Sequence, residues 1–314
     1  MKIRRFILGR DEADWIKVQN TICGISPTYR SLTVDDFRTL EKSPEFDSEG
    51  RFIAELDGNP VGMVHAHVDK LREEKRGFIG WFGVIPEHKG RGMEKKLAET
   101  AIKELKKRGM KVIQSYVNGE PEEVIRMWKN MGFKLIRTGS FMTKELTELP
   151  DLEKNMEVVL KPLRKEADED LETLNWLCNE CFKEHYLWDG RPKPLKDTVY
   201  DVREDPFVKT QGWWFALLRG KHVGFVGAGI DEYFNTAKKA KYGWIRSIGV
   251  LKPYRKTGIG TRLILRGMNF LKAKGMTTAL LGVDDWNVTK AKHLYEKVGF
   301  KVIWKESSYE KNIA

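Results

Sequence analysis

Apolar and polar positions run through the same order twice along this chain. In DEADWIKVQNTI (residues 11–22) and DEDLETLNWLCNECF (168–182) apolar residues return every three or four positions, which predicts an early helix in each half. RFIAELDGNPVGMVHAHV (51–68) and WWFALLRGKHVGFVGAGI (213–230) set two apolar runs about a turn, at Asp57-Gly58 and Arg219-Gly220, and predict β-hairpins. GFIGWFGV (77–84) and YGWIRSIGV (242–250) read as buried strands, each followed by a proline and a glycine-rich turn. A helix follows each turn: Leu97, Ala101 and Leu105 lie at four-residue steps, as do Leu263, Gly267 and Leu271, and Gly109 or Gly275 supplies a C-terminal stop. A short strand, a helix and a last strand complete each half.

The recurrence is a long, divergent repeat. The matched glycines Gly62/Gly224, Gly92/Gly258, Gly109/Gly275 and Gly132/Gly299 are offset by 162, 166, 166 and 167 residues, a spacing that chance would not hold. The alternation of strands and helices in both halves argues an α/β chain with mixed sheets. The polar segment TELPDLEKN lacks a period and is read as a linker over 147–155, between domains at 1–146 and 156–314.

Composition agrees with two packed domains. At about 150 residues per domain, 314 residues give two, and 41% hydrophobic with 32% charged residues excludes a disordered or collagen-like chain. The longest clean apolar run, Val223 to Ile230, has eight residues and three glycines, short of the roughly 18 a membrane span needs, so no membrane partner is expected. The basic start MKIRRFILGRDEAD has too short an apolar segment for a signal peptide, which makes the cytoplasm the expected compartment. Three cysteines, Cys23, Cys178 and Cys181, do not make a disulfide framework. The net charge of +11, from 56 basic against 45 acidic residues, favours an anionic ligand without the concentrated basic stripe of a nucleic-acid binder, so nucleic acid is not an expected partner.

The most specific feature is Arg255-Lys256-Thr257-Gly258-Ile259-Gly260, between the strand ending near Val250 and the helix beginning near Thr261. Glycines let backbone approach a ligand and adopt positive φ, and amides at a helix N-terminus point outward with the positive end of the dipole, so the turn suits phosphate. Neither the GxxxxGK[ST] nor the GxGxxG spacing is present. With Asn287 and AKHLYEKVGF downstream, this R-x-x-G-x-G after a strand resembles the GCN5-related N-acetyltransferase (GNAT) family, over most of the C-terminal half. The resemblance implies two tandem GNAT-like domains and acetyl-CoA as the donor. It implies that Arg255, Lys256, Thr257, Gly258, Ile259, Gly260 and Thr261 hold the coenzyme pyrophosphate, and that the backbone of Ile248, Gly249 and Val250 pairs with the pantetheine arm. Tyr295 would protonate the departing thiolate; the alternative is an aromatic packed on a helix face. Asn287 would hydrogen-bond the pantetheine arm or a water, or else cap a helix.

The first half departs from this pattern. Its turn reads Lys89-Gly90-Arg91-Gly92-Met93-Glu94, and Glu94 puts a carboxylate beside the presumed pyrophosphate site, which opposes anion binding, with Lys89 and Arg91 as a partial offset. At the tyrosine position stands Trp128, an indole that cannot serve as an acid. The layout resembles tandem acetyltransferases of the mycothiol synthase type, with chemistry expected in the second domain.

An alkylamine acceptor is mostly protonated at neutral pH and needs a base. Where family members often place a carboxylate, Arg246 and Ser247 stand; Asp231, Glu232, Asp284 and Asp285, or a water relay, are the alternatives. Arg246 reads either as a cation recognising an acidic acceptor or as a salt-bridged strand residue. His185, Tyr186, Trp188, Trp213 and Trp214 are candidates for an acceptor wall, with core packing as the other reading. Cys178-x-x-Cys181 has no second ligand pair and falls on an apolar stripe, so buried thiols, and no metal, are expected. The function expected is an acetyl-CoA-dependent N-acetyltransferase acting on a small-molecule amine or a protein or peptide amine. A silent acyl-CoA sensor or scaffold competes with it.

Overall fold

The computed structural model describes residues 2–41, 46–69, 74–119, 121–150, 157–186, 190–205 and 207–313, so residues 151–155 of the linker segment lie outside it. The chain forms two compact units, Met1–Gly139 with Trp304–Ala314, and Ser140–Ile303.

The first unit contains β1 (Lys2–Arg5), α1 (Glu12–Cys23), α2 (Val34–Glu41), β2 (Arg51–Leu56), β3 (Asn59–Val68), β4 (Arg76–Val84), α3 (Met93–Lys107), β5 (Val112–Asn118) and α4 (Glu122–Asn130). β6 (Lys134–Glu145) begins in it. In the second unit follow β7 (Val158–Pro162), α5 (Asp168–Phe182), α6 (Leu195–Val199), β8 (Thr210–Leu218), β9 (Lys221–Ile230), α7 (Glu232–Lys238), β10 (Tyr242–Val250), α8 (Ile259–Ala273), β11 (Thr278–Asp284) and α9 (Ala291–Lys297). Last comes β12 (Lys301–Asn312).

In each unit an antiparallel run gives way to one parallel pair, β4 with β5 and β10 with β11, because α3 or α8 makes the crossover a parallel pair requires. Successive strand residues face opposite sides, and both sides are covered. On β8, Trp213 and Phe215 pack with Leu171, Leu174 and Leu177 of α5, while Trp214 and Ala216 join Leu263, Ile264 and Met268 of α8. In the first unit α3 buries Leu97, Ala98, Ala101 and Leu105 against Val64, Ala66 and Ile79, and Trp15 of α1 and Phe37 of α2 cover the opposite face at Ile53 and Met63. Each unit is therefore a helix–sheet–helix sandwich with two hydrophobic layers.

The last strand does not follow the simple repeat. Residues Glu306–Asn312 of β12 pair antiparallel with Asn118–Val112 of β5, in the first unit, where Tyr309 is buried in the core. The corresponding edge in the second unit is taken by the end of β6, where Leu146 N donates to Thr277 O at 2.8 Å and Thr278 Oγ1 to Glu145 at 3.1 Å. The two halves of the repeat thus exchange their final strands.

Candidate active site

The parallel pair of the second unit is short. β10 meets β11 only from Tyr242–Trp244 to Thr278–Leu280, and Arg246 is an extra residue that shifts the register of β10 against β9. A bulge bends its strand, so from Ser247 onward β10 remains paired with β9 while its other edge parts from β11. The backbone of Ile248, Gly249 and Val250 lies along that opened edge. The first unit repeats the device. Its β4–β5 pairing stops at Ile79–Ser115, and a register shift on β4 coincides with Trp81 at φ 42°, a left-handed conformation that a bulky residue rarely adopts.

Beyond the opened edge lies the glycine-rich turn. Lys256 and Gly258 sit at φ 63° and 86°, and Gly258 caps α8. Arg262 N donates to Gly258 O at 3.1 Å, the first bond of the helix, so the amides of Ile259, Gly260 and Thr261 have no partner within it. Lys256, Thr257 and Gly258 are exposed, which leaves the amide-rich face open to an anion. The Thr257 hydroxyl donates to Tyr254 O at 2.7 Å and tightens the turn. Gly260 lies close to α9: a Cβ there would stand 3.1 Å from Leu294 Cδ2, so that side chain would have to give by a few tenths of an ångström.

The Arg255 side chain is engaged within the protein. Its guanidinium donates to Val250 O at 3.0 Å, Glu184 at 2.6 Å and Cys181 O at 3.3 Å, which fastens the turn to the end of α5. Its backbone amide donates to Lys252 O at 3.3 Å. Asn287 is likewise engaged locally. Its Oδ1 accepts from Thr289 N and Oγ1 at 2.8 and 2.6 Å, the turn that precedes α9.

Tyr295 lies on α9 and shares a core cluster with Ile248, Val250, Ile259 and Leu294, so the structure brings it to the same side of the sheet as the turn and the opened edge. It is 6% exposed, and burial pushes its phenol up to about 12. Phe300 packs on its ring at 6.2 Å. The counterpart Trp128 is fully buried between Phe82 and Phe133, a core residue of the first unit.

The acceptor-side candidates are mostly structural. Arg246 donates to Asp205 at 2.5 Å and Gln211 at 2.9 Å, so the salt-bridged reading holds and the free-cation reading does not. Asp231 caps α7 through Phe234 N, Glu232 accepts from Thr210, Asp284 accepts from Trp286 N, and Asp285 pairs with Lys292 at 2.5 Å. Trp213 and Trp214 face opposite sides of the sheet, the second against Phe270 and Arg266, so they do not form one wall. His185 and Tyr186 are in ring contact at 5.0 Å, and Trp188 lies outside the described residues. Burial raises Cys178 and Cys181 to about 12, as inert packed thiols. Among the described residues no helix is long and apolar enough to cross a membrane.

Two features escaped the sequence. The bulges at Arg246 and Trp81 have no signature beyond glycines nearby, and Glu184, which holds Arg255, lies about 70 residues from it.

Comparison with known proteins matches this picture. The acetyltransferase (GNAT) family profile matches residues 20–133 and again 171–300. A mycothiol acetyltransferase of Thermomonospora curvata is 30% identical over 131 residues, 42% of this chain and 43% of that protein, so the chain spans less than half of the curated relative it matches. Among solved structures, a tandem GNAT protein from the clavulanic acid biosynthesis pathway superposes with a TM-score of 0.75 at 14% identity, over 100% of this chain and 98% of that one. A GCN5-related N-acetyltransferase from Sphaerobacter thermophilus gives 0.73 at 18%, over 99% and 95%. The structural likenesses bear on fold, and the two profile matches bear on descent: the chain belongs to the GNAT acetyltransferase family, with two such units in tandem.

Proposed function

We propose that this protein is an acetyl-CoA-dependent N-acetyltransferase whose chemistry resides in the second unit, with a primary amine of a small molecule, protein or peptide as acceptor. The observation that carries this reading is the exposed turn at Lys256–Gly258, whose left-handed residues leave the first amides of α8 unpaired beside an opened β10 edge. Those amides suit a diphosphate, and the free polar edge at Ile248–Val250 suits an amide-bearing arm. When bound, acetyl-CoA supplies an activated thioester. Tyr295 would hold the proton that the departing thiolate needs, and a phenol kept protonated by burial can deliver it only over a short, aligned path. The amine must reach the site uncharged; with Asp231 in a cap, Asp285 in an ion pair and Glu232 and Asp284 hydrogen-bonded to Thr210 and Trp286, a water relay is the favoured route for its proton.

The second expectation, a silent acyl-CoA binder, draws support from one observation, the near-complete burial of Tyr295. A thiol-release assay across amine, amino-acid and peptide acceptors, on wild type and Tyr295→Phe, separates the two. Loss of about 100-fold or more in kcat with coenzyme affinity unchanged supports the proton-donor role. Coenzyme binding with no acceptor-dependent turnover in wild type supports the silent binder.

A further inference from the structure

On the sheet face of the first unit opposite α3, a carboxylate and two imidazoles converge. Asp47, in the segment before β2, and His65 and His67, two residues apart on β3, present ligand atoms that all lie within 4.8 Å of one another. Asp47 and His65 are buried, at 3% and 6% exposure, and His67 is half-buried. His65 Nε2 and His67 Nδ1 are buried and have no hydrogen-bond partner among the described residues. A buried imidazole nitrogen without a partner is unfavourable unless something meets it. We propose that Asp47, His65 and His67 form a site for a first-row divalent cation of the zinc class.

The donor set suits such an ion: two imidazole nitrogens and one carboxylate oxygen are ligands that zinc shares with its neighbours in the row, with a further position left for water on the His67 side. Tetrahedral bonds of about 2.0–2.1 Å set ligand atoms about 3.4 Å apart, so the cluster must close by at most about 1.4 Å from its widest separation, within reach of side-chain rotation. The surroundings already orient it. Arg108 donates to Ala66 O at 3.1 Å and to Asp47 Oδ2 at 2.7 Å, and Val68 N donates to Asp47 Oδ2 at 3.2 Å, so these bonds leave Oδ1 for the ion. The His65 and His67 rings pack on one another at 5.2 Å, which restricts both. Arg51 and Arg108 repel a cation at His67, while Asp47 and Asp69 attract one there. The Arg51 guanidinium is spread over the rings of Trp15, Phe37 and Phe46 at 4.8 to 5.3 Å.

The test uses the full chain, untagged and stripped of metal by chelation, titrated with Zn²⁺ against a competing chromophoric chelator. One equivalent bound, with about 100-fold or greater weakening in His67→Gln, is expected, while His88→Gln and His293→Gln bind as wild type. Co²⁺ should give the visible absorption of a tetrahedral nitrogen–oxygen site in wild type and lose it in His67→Gln, a signature that folding alone does not supply. Circular dichroism checks that the variant is folded, and Asp47→Asn, which keeps shape, provides a second removal of a ligand. No zinc retained against the competitor, or equal affinity in wild type and His67→Gln, overturns the proposal and leaves a hydrated polar pocket.

Discussion

Replacing Gly258 by alanine tests the central geometry with the least disturbance. A Cβ at this position would meet nothing within 4 Å, so the substitution adds no clash and acts only through the backbone. At φ 86° an L-residue is disfavoured by roughly 1–2 kcal/mol. That cost appears in one of two places. If the turn stays left-handed, unfolding by urea becomes easier by the whole amount; if it relaxes in the free protein, coenzyme A must restore it, and Kd rises roughly 5–30-fold. The two effects together should total about 1–2 kcal/mol. Gly220, in the β8–β9 turn at φ 77° with equally open surroundings, is the control: its alanine variant should lose the same stability and bind the coenzyme as wild type. Calorimetric titration with coenzyme A and urea denaturation of the three proteins give both numbers. If Gly258→Ala leaves affinity and stability alike unchanged, the left-handed turn is not what positions the amides, and the reading of the site fails.

Two other predictions concern the scaffold. Arg164 holds Asp170 through two side-chain nitrogens at 3.1 and 2.7 Å, and this pairing holds the carboxyl below the usual range. Its contribution is therefore full above the unfolded pKa near 3.9 and fades as pH falls through the lower folded value; with Arg164 half exposed, Asp170→Asn should cost about 1 kcal/mol at pH 7 and progressively less on acidification through that range, as pH-resolved urea midpoints will tell. Ending the chain at Ile303 removes the β12 ladder on β5 and the buried ring of Tyr309, so the first unit should lose its cooperative thermal transition while the second keeps its own in calorimetry.

Much of this architecture was legible because local patterns and burial agree. The period of Leu97, Ala101 and Leu105 announced α3, and the turns at Asp57-Gly58 and Arg219-Gly220 announced both hairpins, at the places where they occur. α7 has no marked stripe in the sequence: Asp231 and Glu232 cap and begin a helix that only its contact with the sheet makes evident. Side-chain commitments were the least legible. Nothing in the local sequence tells that Arg255 turns toward Glu184 or that Arg246 meets Asp205, because both partners come from distant segments. The cluster of Asp47 with His65 and His67 is hidden for the same reason: an H-x-H pair on a strand acquires meaning only when a remote carboxylate arrives.

The exchanged strand also sets a timetable for biosynthesis. When the ribosome has finished the first 139 residues, β5 still lacks the neighbour that will arrive about 165 residues later, a delay of roughly 10–30 s at ordinary elongation speeds. Throughout that interval its outer backbone groups offer a template to any passing chain, so the nascent polypeptide is most exposed to mispairing before its C-terminus emerges.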